Sequence, residues 1–290
     1  MRDPSGVPIA KGQALGNDYL VADAAELPAP PARDQVRSIC DRHRGIGADG
    51  ILIGDVARRP FRLTIYNPDG SEAEKSGNGL RIFGAWLHRR GLVRSELFRV
   101  RLTTDEVEIR VHGELDGGAL DIAVAMGVAV LGAGAGAGAG ERPTATPLDL
   151  GDGRSAEVYP VSLGNPHCVV LVPELDRADF RARAPRLCTH PFFPAGTNVQ
   201  FARVLDADTI EAWIWERGVG ETLASGSSSC AIAAVTRALG LTGAAVTVRM
   251  PGGSVSVRFD ETGMAHLRGP AQIVFTGAVP RAVWEAWGGA

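Results

Sequence analysis

Cysteine is scarce in this chain, and its four copies, Cys40, Cys168, Cys188 and Cys230, lie far apart with no C-x-x-C spacing. That pattern supplies neither a thiolate metal site nor a small disulfide framework, so reduced thiols and a cytoplasmic setting are expected. Charge of one sign is lacking too. The formal net charge is −3 and no polybasic run occurs, which leaves nothing to attract nucleic acid or anionic lipid. The first residues, MRDPSGVPIAKG, carry prolines and an acidic residue where a signal peptide needs an apolar core, so export is not expected. Long hydrophobic runs are nearly absent. The exception, Ile122 to Gly140, approaches spanning length but is almost all Ala and Gly after Leu131, residues that transfer weakly into lipid. It reads as a buried strand, LDIAVAMGVAV, followed by a flexible spacer, and no membrane partner is expected.

What remains is an ordinary globular composition, 45% hydrophobic and 22% charged, over 290 residues, a length that leans towards two domains. Chemistry-bearing residues concentrate in Glu216 to Cys230, ERGVGETLASGSSSC, a polar glycine-rich loop running into an unbroken apolar stretch. The pattern predicts a buried helix beginning just after Ser225. The first amides of such a helix have no partner within it, and with the helix dipole they favour an anion. Taken alone, the stretch is more simply read as a capped helix.

A second copy of the pattern changes that balance. The segment NPDGSEAEKSGNGLRIFGAWLHRRG predicts a turn, a Ser-Gly start at Ser76 and a helix apolar on nearly all sides, ended by Gly91. Gly-Asn turns lie upstream of both serines: 60 residues separate Gly16 from Ser76, and 61 separate Gly164 from Ser225. Each serine precedes its helix-ending glycine, Gly91 or Gly240, by 15 residues. Capping does not require matched flanking turns, so an internal duplication is inferred. The expected fold is α/β of the α+β type: two pseudo-symmetric lobes, each a mostly antiparallel strand barrel around a central buried helix, with a ligand cleft between them. The expected divisions are 1–130 for the N-terminal lobe, 131–143 for the spacer and 144–272 for the C-terminal lobe. A helix over about Asp34 to His43 is also predicted, with Cys40 packing inside it.

Six motifs, LGNDY at 15–19, GIGADG at 45–50, NPDGSEAEKSGNG at 67–79, GNPHCVV at 164–170, GTNVQF at 196–201 and ERGVGETLASG at 216–226, resemble in order those of the diaminopimelate epimerases and related cofactor-independent amino-acid epimerases. The resemblance covers essentially the whole chain. It implies the two-lobed fold, with about 273–290 returning to the first lobe, no cofactor and no metal. It further implies a small amino-acid-like substrate with a carboxylate, a role in lysine biosynthesis and a homodimer.

Family members invert a stereocentre with two cysteines, one on each face of Cα, and in this chain both matching positions are serine, Ser76 and Ser225. Cys230 matches a neighbouring position. His167 and Glu216 match residues beside the cysteines and are the candidate proton acceptors, with Lys75 a third. Asn17, Asn67, Asn165, Asn198 and Arg217 match positions that hold the substrate's polar groups, and the amides of Gly77, Asn78, Gly226 and Ser227 would grip an α-carboxylate. An alkyl hydroxyl ionises roughly seven pKa units above a thiol, about 10 kcal/mol, so a bare alkoxide is not available. Three readings stay open: an epimerase assisted by His or Glu, an inactive amino-acid-binding protein, and a different proton-transfer isomerase or dehydratase.

Overall fold

The computed structural model describes residues 6–132, 143–151 and 153–288; most of the expected Ala/Gly spacer lies outside them. The chain divides into two compact units, 1–124 with 269–290, and 125–268. The division falls at Val124/Ala125, inside a strand, rather than at the spacer.

The first unit contains β1 (Val7–Ala14), β2 (Asn17–Asp23), α1 (Arg33–Cys40), β3 (Ile51–Asp55), β4 (Phe61–Tyr66), α2 (Gly77–Arg89), β5 (Leu97–Arg101) and β6 (Glu106–Glu114). Strand β7 (Leu120–Val128) crosses the division. The second unit holds β8 (Val130–Leu131), β9 (Thr146–Asp149), β10 (Ser155–Ser162), β11 (Pro166–Leu171), α3 (Arg177–Cys188), β12 (Asn198–Asp206), β13 (Thr209–Glu216), β14 (Gly220–Thr222), α4 (Gly226–Ala238), β15 (Ala245–Met250) and β16 (Gly253–Phe259). Strand β17 (Met264–Val279) begins in the second unit and ends in the first, followed there by α5 (Arg281–Gly288).

Pairing directions repeat between the units. In the first, β1–β2, β3–β4, β5–β6 and β6–β7 are antiparallel, while β2–β3 and β4–β5 are parallel. In the second, β10–β11, β12–β13, β15–β16 and β16–β17 are antiparallel, and β11–β12 and β13–β15 are parallel. The parallel pairs qualify the antiparallel expectation for a topological reason. Parallel neighbours need a long crossover, and α1, α2, α3 and α4 supply the four required. In the first unit β17 pairs antiparallel with β1, setting Val279 opposite Val7. Each unit is thus a strand-rich barrel around one buried helix.

The two central helices obey the same local rules. Every residue of α2 from Gly77 to Leu87 is buried, and Phe83 stacks on Trp86 with ring centroids 5.6 Å apart. Burying such side chains contributes about 2–3 kcal/mol each, which explains why a helix apolar on all sides sits at a barrel centre. Strand β1 approaches it closely: a Cβ on Gly12 would lie 2.4 Å from Ile82. Both helices end through a glycine with positive φ, Gly91 at 70° and Gly240 at 75°, whose amides return to His88 and Arg237. Helix α1 is shorter than predicted, ending at Cys40, because the Asp41 carboxylate accepts the amides of His43 and Arg44 and turns the chain early. Among the described residues, no helix is long and apolar enough to cross a membrane.

Candidate active site

Ser76 is the N-cap of α2, with extended φ and ψ of −135° and 114°. Its Oγ accepts the Gly79 amide at 3.0 Å and the Tyr19 hydroxyl at 3.4 Å. With both contacts accepting, the hydroxyl keeps its own proton to give. Asn78 is buried, and its side chain joins a chain of amides: its Nδ2 donates to Asn17 Oδ1 at 3.2 Å, and Asn17 Nδ2 donates to Asp49 Oδ2 at 2.8 Å. The buried guanidinium of Arg81 holds the other side, donating to Asn78 Oδ1 at 2.8 Å, to Gly77 O at 3.2 Å and to Pro270 O at 3.3 Å.

Asp49 is held in turn by Arg42 at 2.6 Å, and Arg42 also meets Asp18 at 2.7 Å, as does Lys11 at 2.8 Å. Burial would raise the Asp18 carboxyl, but hydrogen bonds from Arg42 and Lys11 outweigh it and hold the group at about 2. These ion pairs fix the loop that orients Asn17. Asn67 stands apart, bonding Ser71 within its own turn through Nδ2 at 3.0 Å. Lys75 is ion-paired to Asp105, which makes it a poor proton acceptor.

Ser225 is the N-cap of α4, with φ and ψ of −143° and 127°, but its side chain makes no capping bond. Its carbonyl takes the Ser229 amide at 3.1 Å and the Ser229 hydroxyl at 2.7 Å. Gly226 is buried beside it and Ser227 is half-buried. The two caps should therefore respond differently to truncation. Ser76→Ala is expected to lower stability by about 1 kcal/mol through loss of the cap, and Ser225→Ala by less than half of that. Urea denaturation of the two variants checks the ranking; equal losses would contradict it.

His167, on β11, is wholly buried, and both of its ring nitrogens are engaged: Nε2 with Asn165 Oδ1 at 2.9 Å, and Nδ1 with Gln200 Nε2 at 3.0 Å. Burial, and then the positive charge of Arg217, push its pKa down to about 3, so the ring is neutral. Gln200 Nε2 also donates to Ser228 Oγ at 3.0 Å. Asn198 accepts the Arg217 amide at 2.9 Å and donates to Pro166 O at 3.3 Å, tying three motifs together. The Arg217 guanidinium donates to Ala195 O at 2.9 Å from an exposed position. Glu216 ends β13 opposite Gly220 of β14, in the hairpin leading to Ser225.

The structure thus brings Asn17 and Asn78 together in one unit, and Asn165 with His167, and Asn198 with Arg217, in the other. It does not bond His167 to Ser225. The four cysteines are all buried, Cys230 among them, and burial raises the Cys40 thiol to about 12 and the Cys168 thiol further. Sequence reasoning overlooked Tyr19, Asp49, Arg81, Gln200 and Ser228. Tyr19, Asp49 and Gln200 lie within the six motifs and Ser228 within the Glu216–Cys230 stretch, but nothing local marked their roles, and Arg81 lies just past the motif at 67–79.

A family model described as diaminopimelate epimerase matches residues 9–132 and 159–274. The chain belongs to the diaminopimelate epimerase family. It is 41% identical to diaminopimelate epimerase 2 of Nostoc sp. over 254 residues, covering 87% of this chain and 88% of that protein. It is 39% identical to the diaminopimelate epimerase of Desulforudis audaxviator over 281 residues, covering 94% and 99%. Among solved structures, a probable proline racemase from Agrobacterium radiobacter K84 matches with a TM-score of 0.70 at 15% identity, over 94% of this chain and 93% of that one. A hydroxyproline epimerase from Agrobacterium vitis matches with a TM-score of 0.69 at 14% identity over the full length of both. These structural likenesses show a shared fold. Family membership bears on the whole set of motifs, because the matched segments include every site residue named above.

Proposed function

We propose that the protein is a cofactor-independent amino-acid epimerase, acting on diaminopimelate or a close relative in lysine biosynthesis, with Ser76 and Ser225 as its two proton-transfer positions. The observation that carries this reading is the duplicated Ser-Gly helix start, in a chain belonging to the family. Amides of Gly77, Asn78, Gly226 and Ser227 at those starts suit an α-carboxylate, and Arg217 suits a second acidic group. In the reaction a Cα–H bond breaks, its proton passes to a group on one face, and a proton returns from the other.

Ser76, whose Oγ accepts two hydrogen bonds, is assigned the donating role, since those contacts stabilise the oxygen as its proton leaves. Glu216, in the hairpin leading to Ser225, is assigned the accepting role, because neither His167 nor Lys75 is available for it. The protein is proposed to be cytoplasmic and homodimeric. Val274 and Phe275, 49% and 43% exposed on β17, offer an apolar strand for a second copy; sedimentation equilibrium showing only monomer would remove that assignment.

The test is incubation of L,L-diaminopimelate with the protein in D₂O, with deuterium at Cα read by NMR and thermal stabilisation read in parallel. Slow exchange with stabilisation is expected. Stabilisation without exchange supports the second reading, a binding protein, which the hydroxyls at both positions favour. Neither signal would overturn diaminopimelate as the ligand and direct attention to other amino acids and unsaturated acids.

A further inference from the structure

The buried polar groups of the second unit have a direction. A primary amide nitrogen carries two hydrogens, and those of Gln200 are both used, one on Ser228 Oγ and one on His167 Nδ1. His167 Nδ1 must therefore be bare and its proton must sit on Nε2, which donates to Asn165 Oδ1. Reversing the Gln200 amide would leave two buried N–H donors unmatched. The observed orientation leaves Oε1 as the sole buried side-chain nitrogen or oxygen without a partner among the described residues. With its Oδ1 turned to His167, Asn165 presents its Nδ2 on the other side, and Nδ2 has no hydrogen-bond partner among the described residues. Gln200, His167 and Ser228 are each wholly buried, so water cannot rewrite the pattern.

We propose that Ser228, Gln200 and His167 form a one-way hydrogen-bond relay that fixes the Asn165 amide with its nitrogen outward, so that Asn165 selects a ligand group able only to accept, such as a carboxylate. The relay is anchored at Ser228 in the first turn of α4, the helix that Ser225 caps, and so ties the orientation of Asn165 to that helix start. Gln200, His167 and Ser228 are positioning residues in this account. The identity of the ligand group rests on the function proposed above; the direction of the relay does not.

Long-range proton–nitrogen NMR of the histidine-labelled wild-type protein near pH 7, about half a unit above an unperturbed imidazole, reads the relay without any substrate. His167 is expected as the neutral Nε2–H tautomer. An Nδ1–H tautomer, or an imidazolium, would overturn the proposal. Gln200→Glu removes the donors and supplies only acceptors, so His167 is expected to take a proton on Nδ1. A purely structural role for Gln200 would lower the melting temperature and leave the ring protonation unchanged, which would also overturn it.

Asn165→Asp keeps the shape and exchanges a donor for an acceptor. L,L-diaminopimelate is expected to bind this variant at least 10-fold more weakly than the wild type, and equal binding would contradict the selection of an acceptor. If Gln200→Glu does not fold, the wild-type spectrum and Asn165→Asp decide. If diaminopimelate does not bind the wild-type protein, the substrate assignment fails while the ring spectrum still decides the relay.

Discussion

Replacing Ser76 and Ser225 together with cysteine is expected to raise Cα deuterium exchange by at least two orders of magnitude. A thiol ionises roughly seven units below an alkyl hydroxyl, and a helix N-terminus lowers it further. Even a third of that ~10 kcal/mol difference, expressed in the barrier, exceeds a hundredfold at 1.36 kcal/mol per decade. The steric and stability consequences are small by comparison. Ser225 makes no capping bond that a thiol would lose, and Ser76 forfeits part of one cap. Each single variant should invert L,L-diaminopimelate at less than a tenth of the rate of the double, because inversion needs proton removal on one face and return from the other. A folded double variant with no gain would mean that the surroundings of both positions have diverged as well.

The second large effect is on acid stability. His167 titrates in the folded protein at about 3, pushed down by burial and then by Arg217, whereas the unfolded chain titrates near 6.5. Between these values the unfolded state binds more protons, so unfolding free energy falls as pH falls, by about 1.4 kcal/mol per pH unit from this one group. Asp18, held at about 2, adds a loss of the same sign, beginning below about pH 4 as the carboxylate becomes protonated. Urea unfolding at pH 7, 6 and 5 isolates the histidine. His167→Gln, which removes the titrating ring, should flatten the slope over that range. Equal slopes in variant and wild type would show that His167 is not held neutral.

The central helices were legible from the sequence because their signals are local: a Ser-Gly start, an apolar run on every face and a glycine stop lie within 15 residues of one another. The duplication followed from spacing, and the pairing directions repeat it. Helix α3 was not legible. Its buried residues, Phe180, Ala184, Leu187 and Cys188, are separated by arginines and Pro185, so the apolar stripe is thin. The parallel pair β11–β12 depends on the crossover that α3 provides, and so was missed with it, whereas α1, which spans the β2–β3 crossover, was predicted without the pairing it makes possible. The site divides in the same way. Asn17, Asn78, His167 and Gln200 all stood within motifs, but Gln200 lies 33 residues from His167 and 28 from Ser228, and no spacing rule joins such partners. Their contact also moved His167 from a candidate base to a positioning group, a change of role that only the placement of both ring nitrogens could reveal.

The proposed function requires that the protein bind an amino-acid carboxylate, although its proton-transfer positions, Ser76 and Ser225, carry hydroxyls. Calorimetric titration of L,L-diaminopimelate into the wild-type protein tests this most directly. One saturable site per chain is the predicted result, weakened at least 10-fold by Asn165→Asp. No saturable binding by the folded wild-type protein would contradict the account.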